Sequence, residues 1–270
     1  MDDRPIGMFD SGFGGLTVAR ALIDLLADED VVYFGDTGRY PYGPRPLEEV
    51  RNFARQITDL LVARHDVKMV VVACNNASAA ALDALRFEHD APIVGVIDPG
   101  VRSLLTASRN RRVGVIATVG TVASGAYQRA VATSRAPVQL TCAACPGFVE
   151  FVERGETDGE DVHVLAERLL APVRAAGVDA LLLGCTHYPF LARTIGDVMG
   201  RDVVLVSSAD ETAFEVRSIL AETGLGRRSG QGTGKGRHVF VSSGDIESFK
   251  RLGGRLLGPE VDDVEAWQWG

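Results

Sequence analysis

Two cysteines sit in matching surroundings. In "VVVACNNASAAAL" (70 to 82) an apolar run ends on Cys74 and passes through Asn75 and Asn76 into an alanine-rich stretch. In "ALLLGCTHYPFL" (180 to 191) a second run ends on Cys185, followed by Thr186 and His187. A thiol or thiolate so placed serves as nucleophile, metal ligand, redox partner or proton-transfer base. Either cysteine alone reads as a small buried hydrophobe. The repeated context, a strand then cysteine, polar residues and a helix, argues for chemistry, because a helix N-terminus favours thiolate. Joint metal ligation is disfavoured, since only His187 lies close in sequence to either cysteine and its adjacency suits support better than ligation.

The elements that must carry these residues alternate. Apolar, β-branched runs occur at 6 to 9, 31 to 34, 69 to 73, 93 to 97, 112 to 118, 180 to 184, 203 to 207 and 238 to 242. Nearly continuous apolar runs suit strands covered on both faces, as in a parallel sheet. Between them, Leu47, Val50, Ala54, Ile57 and Leu61 recur at spacings of three and four, the buried stripe of a helix. The fold class is therefore α/β, with about eight strands in two doubly wound sheets. Ligands of such sheets bind beyond the carboxyl ends of strands. The first two strand ends carry "FDSGFGGLTVARAL", with Asp10, Ser11 and a glycine turn at Gly12, Gly14 and Gly15, and "FGDTGRYPYGPRP", with Asp36, Thr37, Tyr40 and Tyr42. Ser11, Asn75, Asn76 and Thr186, with backbone N–H groups, form a donor set suited to a carboxylate.

The chain has 270 residues, 46% of them apolar and 24% charged, enough for one large or two smaller cores. The amino terminus has no long apolar run, and nowhere does the sequence approach the roughly 18 to 20 apolar residues of a membrane span, so a cytoplasmic protein is expected. Four cysteines are too few for a disulfide framework. A net charge of -8 opposes bulk attraction to nucleic acid or anionic membranes. Other suggestive stretches have plain readings. The CxxC of Cys142 and Cys145 has no second pair and reads as packing. "GFGG" has Thr17 where a dinucleotide fingerprint needs glycine. "SGQGTGKG" (229 to 236) departs from a P-loop at Ser229 and Gly236, and the tract from 224 to 238, with Arg227, Arg228, Lys235 and Arg237, reads as a solvated, flexible loop.

The segments "IGMFDSGFGGLTV", "YFGDTGRYPYG", "ACNNASA" and "LLLGCTHYPFL" together resemble the signatures of the glutamate racemase family, in order from residue 6 to about 191. The resemblance implies two α/β domains facing across a cleft, residues 1–97 with 209–270 forming one and 98–208 the other. It implies cofactor-independent interconversion of L- and D-glutamate for peptidoglycan synthesis, no metal, and a homodimer. Cys74 and Cys185 would flank the substrate Cα as two opposed bases, Cys74 acting on D-glutamate and Cys185 on L-glutamate. Asp10 and His187 would tune the respective thiols, with Glu153 as partner of His187 and Asp36 in support. Ser11, Pro41, Tyr42, Gly43, Asn75, Asn76, Thr118, Thr121 and Thr186 match substrate-contacting positions. One departure stands out: the family commonly has Thr where this chain has Asn76, so an amide replaces a hydroxyl. Two rival functions remain: an aspartate-type thiol racemase, which would keep the paired cysteines with a different second motif, so that His187 and Tyr188 after "GCT" favour glutamate, and a non-enzymatic amino-acid-binding protein whose cysteines merely pack.

Overall fold

The computed structural model describes residues 1–227, 235–261 and 263–270. The chain divides into two compact units, Met1–Val96 with Ala209–Gly270 and Ile97–Ser208.

The first unit opens with β1 (Ile6–Asp10), α1 (Leu16–Leu25), β2 (Val31–Gly35), α2 (Leu47–His65), β3 (Met69–Val72), α3 (Asn75–Glu88) and β4 (Ile93–Gly95). In the second unit come α4 (Ile97–Ala107), β5 (Arg112–Ala117), α5 (Val119–Ala123), α6 (Ala126–Ser134), β6 (Gln139–Ala144), α7 (Phe148–Arg154), α8 (Glu160–Ala175), β7 (Ala180–Gly184), a 3-10 turn (Tyr188–Leu191), α9 (Ala192–Met199) and β8 (Val204–Val206). The chain then completes the first unit with α10 (Ala209–Thr223), β9 (His238–Ser242), α11 (Ile246–Leu257), a second 3-10 turn (Gly258–Val261) and β10 (Val264–Ala266).

Both sheets are parallel throughout, in the order β10-β9-β2-β1-β3-β4 and β6-β5-β7-β8. Each therefore has one inner strand flanked by the next two strands of the chain, β1 between β2 and β3, and β5 between β6 and β7. That reversal opens a crevice at the carboxyl ends, the ligand position in doubly wound sheets. Register puts Phe9 beside Val72 in the first unit and Ala117 beside Gly184 in the second. The residues just beyond those pairs are Asp10 with Ala73 and Cys74, and Thr118 with Cys185.

Packing follows the apolar pattern. In α2, Val50, Ala54, Ile57 and Leu61 are fully buried against Phe9, Phe34, Val70 and Val72, while Leu47 at the helix start is only partly so. Glu48 and Glu49 stand in its first turn and Arg64 and His65 in its last, the charge placement the helix dipole favours. α3 approaches its sheet closely because its inner face is Ala77, Ala80 and Ala81. At Gly95 an added Cβ would lie 2.7 Å from Leu82 Cδ2, so only glycine lets β4 pass beneath the helix.

Several expectations need correction. The run 93 to 97 is strand only to Gly95, since Ile97 already begins α4. Two strands lacked the expected pattern: β6 is a half-exposed edge, and β10 is a three-residue edge with two exposed positions. Among the glycines of the first turn, none of Gly12, Gly14 and Gly15 has positive φ. What Gly15 supplies is proximity, for a Cβ there would stand 2.5 Å from Asp10 Cβ and 3.0 Å from Ala73 Cβ. Arg227 is tethered rather than loose, its backbone N–H donating to Glu29 at 2.8 Å and its guanidinium pairing with Asp30. The P-loop-like stretch and Arg228 lie largely outside the described residues. Among the described residues, no helix is long and apolar enough to cross a membrane.

Candidate active site

Polar residues gather at the reversal point of each sheet. In the first unit, Asp10 ends β1, Ser11 follows it, and Cys74 ends the β3 segment as N-cap of α3, with Asn75 and Asn76 as the first helical residues. All are buried; Asp10 has no exposed surface at all. Asp10 Oδ2 accepts the N–H of Gly12 at 2.9 Å, and Tyr33 from β2 donates to the Gly12 carbonyl at 3.0 Å. The turn over the sheet is thus fixed from both sides. Cys74 Sγ lies 3.8 Å from Ser11 Oγ.

The thiol of Cys74 is held neutral. Burial, and next the Asp10 carboxylate, push it up to about 12, although the backbone N–H groups of Ala77 and Ser11 and the Ser11 hydroxyl pull the other way. The helix N-terminus alone does not make it a thiolate, contrary to the sequence-based expectation, because removing a sulfur anion from water outweighs these donors. The sign of the consequence is definite. A thiol neutral in the folded chain but free to ionise at its ordinary value when unfolded contributes full stability below that value, and the contribution is lost as pH climbs toward the folded value. Thermal melts of wild type and Cys74→Ser between about pH 9 and 11 should show a shallower alkaline fall in the variant, by up to about 1.4 kcal/mol per pH unit. Parallel curves would mean that Cys74 titrates in the folded chain as it does in the unfolded one.

In the second unit, Cys185 follows β7, its backbone carbonyl accepting from Tyr188 N–H at 3.1 Å. No α-helix begins directly there. The 3-10 turn intervenes before α9, so the expected likeness to Cys74 holds for the strand end and fails for the helix. Cys185 Sγ is 3.9 Å from His187 Nδ1, and His187 Nε2 is 2.9 Å from Glu153 Oε1. An ionised Glu153 accepts from Nε2–H, which leaves the Nδ1 lone pair of a neutral imidazole facing the thiol. Glu153 reaches His187 because α7 is bracketed by the positive-φ residues Gly147 and Gly155 and packs on the 3-10 turn through Phe148 and Tyr188, whose rings meet edge to face at 5.4 Å. Tyr188 also donates to the Cys145 carbonyl at 3.1 Å. Thr118 caps α5, accepting the Thr121 N–H at 3.4 Å, and its hydroxyl lies 3.1 Å from that of Thr121; both residues are buried, as is Thr186.

The structure therefore brings together Asp10, Ser11, Cys74, Asn75 and Asn76 in one unit, and Glu153, Cys185, Thr186 and His187, with Thr118 and Thr121 on the neighbouring strand end, in the other. Pro41, Tyr42 and Gly43 occupy the loop after β2. Pro41 is exposed, whereas the ring of Tyr42 lies in the same buried cluster as Cys74 and its hydroxyl donates to Asp36. The Tyr42 side chain is thus turned inward, into the packing of its own unit. Cys142, on the edge strand β6, and Cys145 are free thiols, pushed up by burial to about 11 and about 12. No cluster of three or more His, Cys, Asp or Glu suited to a metal occurs among the described residues. Sequence reasoning missed Tyr33, Ser243 and Trp269, since hydrogen bonds to a turn carbonyl or a buried carboxylate leave no spacing signal. The aromatic ending "AWQWG" was the one visible hint.

Residues 8–215 match the family model for Asp/Glu/hydantoin racemases. A glutamate racemase of Mycobacterium leprae is 53% identical over 261 residues, covering 97% of this chain and 94% of the relative. A glutamate racemase isoform of Bacillus anthracis superposes with a TM-score of 0.92 at 36% identity, over 100% of this chain and 98% of that one. The structure of the Francisella tularensis glutamate racemase in complex with D-glutamate gives 0.90 at 32% identity, over 99% and 98%.

Proposed function

This chain belongs to the glutamate racemases, within the Asp/Glu/hydantoin racemase family, and from that premise we propose that it interconverts L- and D-glutamate by proton transfer at Cα between two thiols. One observation carries the reading: each unit ends a strand at its own reversal point in a buried cysteine backed by a titratable partner, Asp10 for Cys74 and His187 with Glu153 for Cys185.

The amino-acid Cα–H is a very weak acid, and the carbanion formed on its removal is planar in character. Inversion requires a base on one face and a proton donor on the other, and one group serving both would mostly return the starting enantiomer. In the L-to-D direction Cys185 removes the proton, helped by the Nδ1 lone pair of His187, and the neutral Cys74 thiol delivers its own to the opposite face. In the D-to-L direction Cys74 must ionise. Its raised value makes the bare thiolate costly and strongly basic, and the donors from Ala77 and Ser11 offset part of that cost. Ser11, Asn75, Asn76, Thr118, Thr121 and Thr186, with the main chain of Pro41, Tyr42 and Gly43, hold the substrate's carboxylates and ammonium. Removing these groups from water strengthens every charge interaction at the reacting centre. The D-glutamate complex of the Francisella relative supports glutamate as substrate, and D-glutamate for peptidoglycan synthesis is the product's proposed destination.

The chain's three lysines are poor Schiff-base candidates. Lys68 is buried with its ammonium on Glu29 and the Asp2 carbonyl, Lys235 is exposed, and Lys250 lies on α11. Purified protein without added pyridoxal phosphate is therefore expected to abolish the optical activity of L-glutamate while leaving L-aspartate nearly unchanged. Turnover that depends on added pyridoxal phosphate would refute the thiol reading, a preference for L-aspartate would make the chain an aspartate-type racemase, and inactivity on all amino acids would leave a binding protein.

A further inference from the structure

The last residues of the chain close over the loop that holds Pro41, Tyr42 and Gly43. Asp36, at the tip of β2, is completely buried and accepts four hydrogen bonds. Oδ2 takes the Arg39 Nε–H at 2.7 Å and the Tyr42 hydroxyl; Oδ1 takes the Ser243 hydroxyl at 2.6 Å and the Trp269 indole N–H at 2.9 Å. Four donors match the roughly four lone-pair sites of an ionised carboxylate. They come from three places: the loop itself, the turn after β9, and the carboxyl terminus.

The terminus is firmly seated. Trp267 N–H continues the β10 pairing by donating to the Ser242 carbonyl at 2.9 Å. The Trp269 ring stacks on the Arg39 guanidinium at 3.7 Å and tilts against Phe34 at 5.6 Å. The loop's main chain is also held by Arg39 N–H to the Asp36 carbonyl and Arg45 N–H to the Tyr42 carbonyl, each at 3.1 Å, by Arg45 Nε–H to the Pro41 carbonyl at 3.2 Å, and by Gly38 N–H to the Ser243 hydroxyl at 3.0 Å. Asp36 is the point at which two side chains of the loop, the turn after β9 and Trp269 all meet. Tyr42, one of the two loop side chains bound there, packs on Phe53 at 5.5 Å inside the cluster that contains Cys74.

We propose that Trp269 is a positioning residue: its indole N–H, through Asp36, fixes the Arg39–Gly43 loop in the shape that receives substrate, so that the chain's penultimate residue sets substrate affinity. The substrate half of this statement rests on the proposed racemase function; the anchoring half does not. A charge-assisted hydrogen bond to a buried carboxylate is among the stronger single contacts in a protein, and its loss leaves Oδ1 with the Ser243 hydroxyl alone and one lone-pair site unfilled.

Trp269→Phe keeps a ring over Arg39 and deletes the donor together with one edge of the indole. A matched control exists, because Trp267 Nε1 is buried with no hydrogen-bond partner, so Trp267→Phe deletes a ring edge and no bond. Trp269→Phe is expected to raise KM for both enantiomers about fivefold with kcat within about twofold, and to speed hydrogen exchange at amides 36 to 45 while leaving β1 and β3 unchanged. Trp267→Phe should do neither. Adding Ser243→Ala to Trp269→Phe should cost more than the two separate effects combined, since only the double variant leaves Oδ1 without a donor. The proposal is overturned if Trp269→Phe leaves loop exchange unchanged, if both phenylalanine variants behave alike, or if kcat falls with KM unmoved. A wild-type protein inactive on glutamate would sink the proposed function instead, and the exchange data would still decide whether Trp269 anchors the loop.

Discussion

Cys74→Ser and Cys185→Ser are each expected to lower racemisation by at least about 10³-fold, because a serine hydroxyl is too weak an acid and base near neutral pH to replace a thiol. The folds should survive, since serine is smaller than cysteine and each position lies at a strand end among polar groups. Each variant nonetheless keeps one working face. With 3-chloroglutamate, removal of the Cα proton expels chloride from Cβ and leaves an enamine, which water converts to the 2-oxo acid and ammonia. No second proton donor is needed for that elimination. Cys74→Ser, which retains Cys185, should therefore eliminate chloride from the L-enantiomer, and Cys185→Ser from the D-enantiomer. Chloride release by both variants from the same enantiomer, or wild-type racemisation by either, would return the cysteines to a packing role.

His187→Asn should reduce kcat/KM for racemisation by about 10²-fold, the contribution expected of a positioned acid-base group. The loss must be equal in both directions, because the equilibrium constant between enantiomers is unity, so direction alone cannot show which thiol His187 serves. The one-sided variants can. In the Cys74→Ser background, where Cys185 is the base, adding His187→Asn should slow chloride release about 10²-fold; in the Cys185→Ser background it should change the rate by less than about twofold. Glu153→Gln should follow the same pattern more weakly, about tenfold, since a neutral amide still accepts from Nε2–H but stabilises imidazolium less. Equal slowing in both backgrounds would detach His187 from Cys185. These rates are measured at fixed pH, with chloride release as the readout.

Much of the site could be read from the chain because strand ends are written in the sequence. The runs ending at Phe9, Ala73 and Gly184 are continuously apolar and buried, and the residues after them, Asp10, Cys74 and Cys185, mark where the sheet stops and a ligand can begin. The helix periodicity of α2 was equally plain, a single stripe from Leu47 to Leu61 repeating over about four turns. The edge strands β6 and β10 were not, since a strand half in water needs no apolar run; "QLTCAA" and "VEA" carry too little pattern to separate from a loop. Electrostatic balance was also hidden. The helix that follows Cys74 predicts a thiolate, and only its 4% exposure and the neighbouring Asp10 show that burial wins. Long-range partners such as Trp269 on Asp36 join residues far apart in the chain through one hydrogen bond, which no local spacing can announce.

Racemisation of L-glutamate in heavy water, stopped at low conversion and resolved by enantiomer, tests the opposed thiols directly. The proton abstracted by one cysteine and the deuteron delivered by the other are distinct, and the second thiol has exchanged with solvent before substrate binds. Early D-glutamate should therefore carry one deuterium at Cα, while recovered L-glutamate stays almost fully protiated; starting from D-glutamate, the labels should exchange places. Deuterium entering recovered substrate as fast as product, or product that keeps its original proton, would contradict two bases on opposite faces and point to a single base serving both.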